Sequence, residues 1–245
     1  MNKTYLYPYS AEEARRRNEM SLWRASHKAN LACKEEIELA IGTHFDGTHL
    51  EEGCAEGVIR EYGYKRVQWV LSHTIQQLDW SDRFSQANKE WARQTYIPKD
   101  RAHVTDLIIV SDPAIVDLFA TQFQCAYQEL GLFGPNQCEP NSFEKLDYEG
   151  KVLVLSPDTL KESYWNARAQ LWYAHDGFGC SPKAIGRSVR CTCLGDGEMT
   201  RWNRTDFIGA LKDEFLPEWA KEKLMELKGQ EQRDVSPMMG GMTME

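Results

Sequence analysis

A histidine and three cysteines, His175, Cys180, Cys191 and Cys193, fall close together in the C-terminal half of the chain. These residue types bind zinc, and a cysteine paired with a histidine can also serve as a nucleophile. However, no two cysteines are separated by two residues, the spacing that usually presents two thiolates to one ion. We therefore predict no metal site, no cofactor and no catalytic residue here, and we expect the thiols to be buried.

A second group of residues that could bind a metal or act in catalysis lies in a loop that contains several glycines. His44 and His49 flank Asp46 there, and they could bind a metal or act in acid–base catalysis. A short polar loop of this kind is more typical of a solvated surface. The glycine-containing segments around Gly179 and Gly195 do not match a phosphate-binding loop.

Arginines lie on and beside the predicted hairpin in the segment from 172 to 204, with aromatic residues nearby. Arginine with aromatic side chains can bind a protein partner or a nucleic acid, and the same pattern can also be a core flanked by paired arginines. All three interpretations stay open at this point. The residues that we predict to contact a partner are Trp172, Tyr173, Arg187, Arg190, Arg201, Trp202 and Arg204.

The N-terminal part has the apolar period of amphipathic helices. Ser10 followed by Glu13 has the spacing of a capping box, which predicts a helix start. A short β-branched run at 107–110 predicts one strand in this part. The predicted helices are 10–42, 54–62, 65–78, 85–96 and 114–130.

The C-terminal part changes to the period of strands, with a glycine-containing turn at 195–197 that predicts a hairpin. The predicted strands are 152–155, 170–174, 187–194 and 199–203, and the predicted helices are 205–211 and 217–227. The fold class is therefore α+β, with an N-terminal helical domain and a small antiparallel sheet with flanking helices. We predict domains at 1–135 and 150–228 and a disordered tail at 229–245.

The chain of 245 residues carries a net charge of -8, and no apolar run is long enough to span a membrane. No secretory signal is visible at the start, so we expect a cytoplasmic protein. Residues 101–150 hold 2 Lys/Arg against 8 Asp/Glu, which concentrates the negative charge. Such a segment suits a basic partner, or it keeps the surface solvated. The acidic residues predicted to contact a partner are Asp106, Asp112 and Asp117.

Several long motifs run through residues 5–225, among them YPYSAEEARRRNE, YGYKRVQWVLSHTIQQ and RSVRCTCLGDGEMTRWNRTDFIG. In these motifs the chain resembles an uncharacterised family carried by conjugative and phage-like elements of anaerobic Gram-positive bacteria. No catalytic residue is established for that family, so the resemblance implies none in this chain. Because mobile elements carry the family, the resemblance implies by analogy a protein that counteracts host defence.

Three functions follow as expectations. The first is a non-enzymatic inhibitor of anti-CRISPR or antirestriction type, which binds a host defence nuclease such as a Cas effector. The second is a nucleic-acid-binding accessory protein of element transfer or replication. The third is an enzyme acting on nucleic acid or a defence signal, with its site near His175 and Cys180 or near His44, Asp46 and His49.

Overall fold

A computed structural model of the chain describes residues 4–99, 105–140 and 142–234. Within these ranges, helices fill the N-terminal part and a five-stranded antiparallel sheet lies in the C-terminal part, which confirms the α+β fold class. The helices are α1 Ala11–Arg16, α2 Met20–His44, α3 Cys54–Tyr62, α4 Tyr64–Gln77, α5 Gln86–Arg93, α6 Pro113–Glu129, α7 Ser142–Lys145, α8 Ala167–Gln170 and α9 Glu218–Asp234.

Helix α4 is the centre of the helical half. Val67, Val70, Leu71 and Ile75 are fully buried, and α2, α3, α5 and α6 surround the helix. The apolar period in the sequence correctly predicted this helix because its stripe faces the core. Polar residues on its other sides are also covered, including His73.

The sheet has the strand order β4-β3-β2-β1-β5, with every neighbouring pair antiparallel. One face packs Leu153, Trp172 and Cys191 beneath the segment around Tyr148, whereas the other packs Val154 and Leu171 against α9. The strands are β1 Val152–Leu155, β2 Leu171–Asp176, β3 Ser188–Cys193, β4 Met199–Asn203 and β5 Phe207–Ala210.

The predicted single helix over 10–42 is two helices, because the chain turns at Asn18. Asn18 adopts a left-handed conformation with φ of 58°, which asparagine tolerates better than most residues. The N–H of Glu19 bonds to the carbonyl of Ala14, and that of Asn18 bonds to the carbonyl of Arg15, as in a Schellman motif. At the start of α1, Ser10 Oγ accepts from Glu13 N–H at 3.2 Å, as the capping pattern predicted.

The predicted strand at 107–110 is wrong. Leu107 and Ile109 are buried, but side chains of the helices satisfy the backbone in place of a neighbouring strand. The hydroxyl of Thr74 accepts from Ile109 N–H at 3.1 Å, and Glu38 accepts from Val110 N–H at 2.5 Å. Burial alone explains the apolar run, so its composition did not require a sheet.

Two predictions near the C-terminus are also wrong. The predicted helix at 205–211 is largely β5, in which Phe207 pairs with Leu155 and Gly209 pairs with Val154. The predicted disordered tail fails at 229–234, because α9 extends to Asp234. The rest of that tail, 235–245, lies outside the described residues.

The helical half and the sheet half contact each other through polar side chains. Asp158 follows β1 and accepts hydrogen bonds from the first backbone N–H groups of α4, at 2.9 Å from Tyr64 and 2.8 Å from Lys65. Arg187 from the start of the hairpin pairs with Glu19 at 2.6 Å. The division into domains at 1–135 and 150–228 stays a prediction.

Candidate functional site

Arg204 was predicted to contact a partner, but its side chain is buried. Its guanidinium donates to backbone carbonyls of two segments, 142–146 and 179–180, and stacks 3.7 Å from the centroid of Tyr148. A fixed fork of five N–H donors suits this role, because it can satisfy several carbonyls at once. Arg204 therefore holds loops together inside the sheet half. The carbonyl groups belong to Ser142, Phe143, Leu146, Gly179 and Cys180.

The predicted aromatic contacts are core residues too. Trp172 and Tyr173 are only 4% and 5% exposed, so the chain itself covers their rings. Trp172 donates its indole N–H to the carbonyl of Ala169 at 2.8 Å, and the half-buried Trp202 packs edge-on against it. Their burial removes Trp172 and Tyr173 from any contact surface.

Arg187 is tied to the N-terminal segment. Its guanidinium pairs with Glu19 and lies over the rings of Tyr7 and Tyr9, at 5.8 and 5.3 Å from their centroids. The hydroxyl of Tyr7 donates to the same carboxylate at 2.7 Å. Arg187 thus fastens the hairpin to the start of the chain.

Arg190 and Arg201 are the two predicted arginines that face solvent. They are direct cross-strand neighbours on β3 and β4. Arg190 pairs with Asp176 at 2.5 Å and contacts the sulfur of Met199, a residue that is well exposed. Alternation along the strands places Asn203 on the same side. We call this group of five residues, Asp176, Arg190, Met199, Arg201 and Asn203, the open sheet face.

Strand β4 is also the edge of the sheet. Its outer side makes no backbone pairing with another strand in the described part of the chain. The opposite edge differs, because Glu139 N–H bonds to the carbonyl of Ala210 and Lys212 N–H bonds to the carbonyl of Gln137. An exposed edge strand can accept an added strand from another chain.

The three acidic residues that were predicted to contact a partner lie in different environments. Asp112 caps α6 by accepting from Ala114 N–H at 2.9 Å, and it pairs with Arg83, which holds its pKa below the usual range. Asp117 accepts from Ser85 at the start of α5. Asp106 is exposed on the surface. Two of the three carboxylates therefore serve helix starts.

The cysteines that could have formed a metal or nucleophilic site are buried and reduced. Burial raises the pKa of Cys180 and Cys193 to about 11 and that of Cys191 to about 12, so these thiols stay protonated at neutral pH. His175 Nε2 lies 2.7 Å from the hydroxyl of Thr192. In the described ranges, no three His, Cys, Asp or Glu side chains are arranged to hold a metal ion.

The loop with His44, Asp46 and His49 is exposed. Asp46 accepts from the backbone N–H groups of Thr48 and His49, both at 2.7 Å, and these bonds lower its pKa. His44 lies 2.7 Å from the carboxylate of Glu51. These bonds stabilise a turn, a role that the side chains of aspartate and asparagine often have.

A cleft that sequence reasoning missed lies where the two halves meet. An inner cavity of about 90 Å³ and an outer groove of about 370 Å³ share one wall, made by Tyr96 and Phe143. These rings stack with centroids 6.1 Å apart. The lining comes from distant segments of the chain, so no local spacing in the sequence could have marked it.

Lys65 lines the inner cavity and is the most perturbed cation there. Desolvation lowers its pKa to about 8, although the nearby Asp206 and Asp158 oppose the shift. Its ammonium group donates to the carbonyl of Thr205. The cavity therefore combines an apolar lining with a cation held against a backbone carbonyl.

Comparison with protein families identifies one match. Residues 6–128, half of the chain, match the family described as "protein of unknown function (DUF3849)". The chain belongs to this family. The match spans α1–α5 and ends inside α6, so it coincides with the helical half. Neither a curated protein nor a solved structure matches the chain.

Among the described residues, none of the helices combines the length and the apolar character that crossing a bilayer requires.

Proposed function

We propose that this member of the DUF3849 family is a non-enzymatic counter-defence protein of a mobile element. In this proposal it binds and inhibits a host defence nuclease, such as a Cas effector, in the cytoplasm. The observation that supports it is the open sheet face, where Arg190 and Arg201 lie side by side on β3 and the edge strand β4, whose outer side pairs with no other strand in the described part of the chain.

The open sheet face has the composition of a contact surface. Arginine and methionine are enriched at protein interfaces, and Met199 and Arg201 are exposed on strand β4. The edge of β4 offers backbone groups for strand addition, which gives affinity without a chemical step. The net charge of -8 favours a basic partner, such as the nucleic-acid channel of a nuclease.

Size-exclusion chromatography with purified candidate nucleases tests the proposal. We expect the wild-type protein to elute together with one effector type and to inhibit its cleavage of DNA or RNA. The double variant Arg190→Ala/Arg201→Ala should lose the complex, whereas Arg60→Ala, an exposed arginine on α3, should keep it. The absence of any complex across several effector types would contradict the proposal.

A nucleic-acid-binding accessory protein is the second candidate, and the same pair of arginines favours it. In that case Arg190 and Arg201 would contact phosphates of DNA or RNA. Binding would then weaken steeply as salt is added, because counterions are released from the nucleic acid. A salt titration with labelled single- and double-stranded DNA separates this candidate from the first, which predicts no such binding.

A further inference from the structure

The cleft between the two halves holds buried polar atoms that lack a partner among the described residues. In the inner cavity, the indole N–H of Trp69 and the side-chain oxygen of Gln94 are buried, and no described residue bonds to them. Trp69 is only 8% exposed. A buried polar group without a hydrogen bond is costly, so an unpartnered donor and an unpartnered acceptor on two residues that line the same cavity point to a ligand-binding site there.

Apolar walls of the inner cavity come from Leu6, Phe207, Ile208 and the ring of Phe143. Polar residues also line the cavity, namely Lys65, Gln68, Thr95, Glu139, Ser142 and Thr205. A flat heterocycle with a hydrogen-bond acceptor and a donor on its edge would match these walls and both open atoms. Trp69 also borders a neighbouring cavity of about 40 Å³, which has room only for water, so we assign the heterocycle to the larger cavity.

The outer groove supplies a cationic end. One terminal nitrogen of Arg17 is buried and has no partner among the described residues, while its Nε bonds to Glu13 at 2.5 Å. The guanidinium lies 4.2 Å from the ring centroid of Tyr9, which fixes its plane. Arg16 and Lys183 line the same groove.

The acidic residues of the groove leave it with an excess of positive charge. Glu13 is bonded to both Arg16 and Arg17, and the other carboxylate of the lining is Glu144. Lys183 offsets Glu144, so one cation remains over the lining as a whole. A guanidinium with a free N–H suits a phosphate group, which accepts several such bonds.

We propose that the cleft binds a nucleoside monophosphate, with its base in the inner cavity and its phosphate in the outer groove. The shared wall of Tyr96 and Phe143 places the two ends of such a ligand on adjoining sites. In this proposal Trp69 and Gln94 form hydrogen bonds with the edge of the base, and Arg17 and Lys183 bind the phosphate. The site uses none of the residues of the open sheet face, so it is independent of partner binding.

Isothermal titration calorimetry of the full chain tests this assignment with AMP, GMP, CMP and UMP. Inorganic phosphate and the four nucleosides serve as the separate halves of the ligand. We expect at least one nucleotide to bind about tenfold more tightly than either its nucleoside or phosphate, because each half contributes its own bonds. Binding should also lower the accessibility of Trp69 to a fluorescence quencher.

Matched variants connect the binding to the named atoms. Gln94→Met removes the open oxygen and Lys183→Gln removes a cation, and each should weaken nucleotide binding by about tenfold. Arg60→Gln removes an exposed cation outside the cleft and should bind like the wild type. Circular dichroism and the melting temperature verify that each variant is folded.

Three results would overturn the proposal. The first is the absence of heat of binding with all four nucleotides at millimolar concentration. The second is phosphate alone binding as tightly as the nucleotides, which would indicate an anion site without a base. The third is wild-type affinity in folded Gln94→Met and Lys183→Gln variants. The loss of nuclease binding in Arg190→Ala/Arg201→Ala, with nucleotide binding kept, would separate this site from the proposed function.

Discussion

Arg204 joins loops that are far apart in the sequence. Its guanidinium donates hydrogen bonds to backbone carbonyls before β1 and after β2, and the ring of Tyr148 covers one of its faces. Arg204→Met should lower the free energy of unfolding by about 3–5 kcal/mol, because several buried carbonyls lose their donor. Urea denaturation measures this change. Arg201→Met, an exposed arginine of the same hairpin, should stay within about 0.5 kcal/mol of the wild type.

Equal losses in the Arg204 and Arg201 variants would show that Arg204 is not the residue that joins these loops.

His73 predicts a dependence of stability on pH. Burial lowers its pKa from 6.5 to about 4, so the unfolded chain takes up a proton first as the pH falls. The free energy of unfolding should therefore decrease by about 2 kcal/mol from this residue between pH 7 and pH 4.5. His73→Phe keeps the ring beside Trp69 and should remove this part of the slope, as measured by urea denaturation at both pH values.

A variant slope as steep as that of the wild type would mean that other groups cause the acid sensitivity.

Individual residues differed in how far the sequence could predict them. Buried thiols at Cys191 and Cys193 were predicted correctly, because a strand with one apolar side must turn them inward. Arg201 and Arg204 have the same residue type and lie three residues apart, yet one is exposed and the other is buried. The difference depends on loops from distant segments that surround Arg204, and no local pattern contains them.

At the scale of elements, the start of α4 depends on Asp158 from the other half. Its carboxylate accepts from Tyr64 and Lys65, and Gly63, with φ of 83°, lets it approach closely. Asp158→Ala should lower the free energy of unfolding by about 1–2 kcal/mol, as the loss of a helix cap does. The free energy of unfolding of Asp158→Asn should lie between those of the wild type and Asp158→Ala, because the amide keeps only one accepting oxygen.

The matched control is Asp82→Ala, which removes an exposed carboxylate outside this contact. Chemical denaturation of the variants ranks them, and a ranking with Asp82→Ala as the most destabilised would refute the role of Asp158 as a cap.

Elements with a clear period were predicted well, whereas short ones were not. The helices at 54–62 and 114–130 and the strand at 152–155 lie where their patterns placed them. The runs at 107–110 and 205–211 failed because four to seven residues do not distinguish a buried loop, a strand and a helix. Tertiary partners decided both, namely Thr74 for the first run and β1 for the second.

At the scale of the whole molecule, the contacts between the halves predict joint unfolding. Asp158 bonds to α4, Lys65 bonds to the carbonyl of Thr205, and Arg187 pairs with Glu19. Far-UV circular dichroism and tryptophan fluorescence should therefore report one coincident transition in urea. Two separated transitions would show instead that the helical half, which matches the family, unfolds on its own.

The candidate sites were less predictable than the fold. The strand period and the glycine-containing turn at 195–197 located the hairpin, and two of its arginines lie on the open sheet face. The cleft went unnoticed because Lys65, Gln94 and Phe143 come together only in the folded chain. A contact between distant segments leaves no spacing in the sequence, so this part required the structure.

We propose that the protein inhibits a nuclease by occupying it, with no bond made or broken. The most direct measurement is a titration of nuclease activity with increasing amounts of the protein, after short and long incubation. We predict that inhibition saturates at an equimolar ratio, is independent of incubation time and disappears in Arg190→Ala/Arg201→Ala. Complete inactivation by a small fraction of an equivalent, growing with time, would contradict the claim and indicate an enzyme.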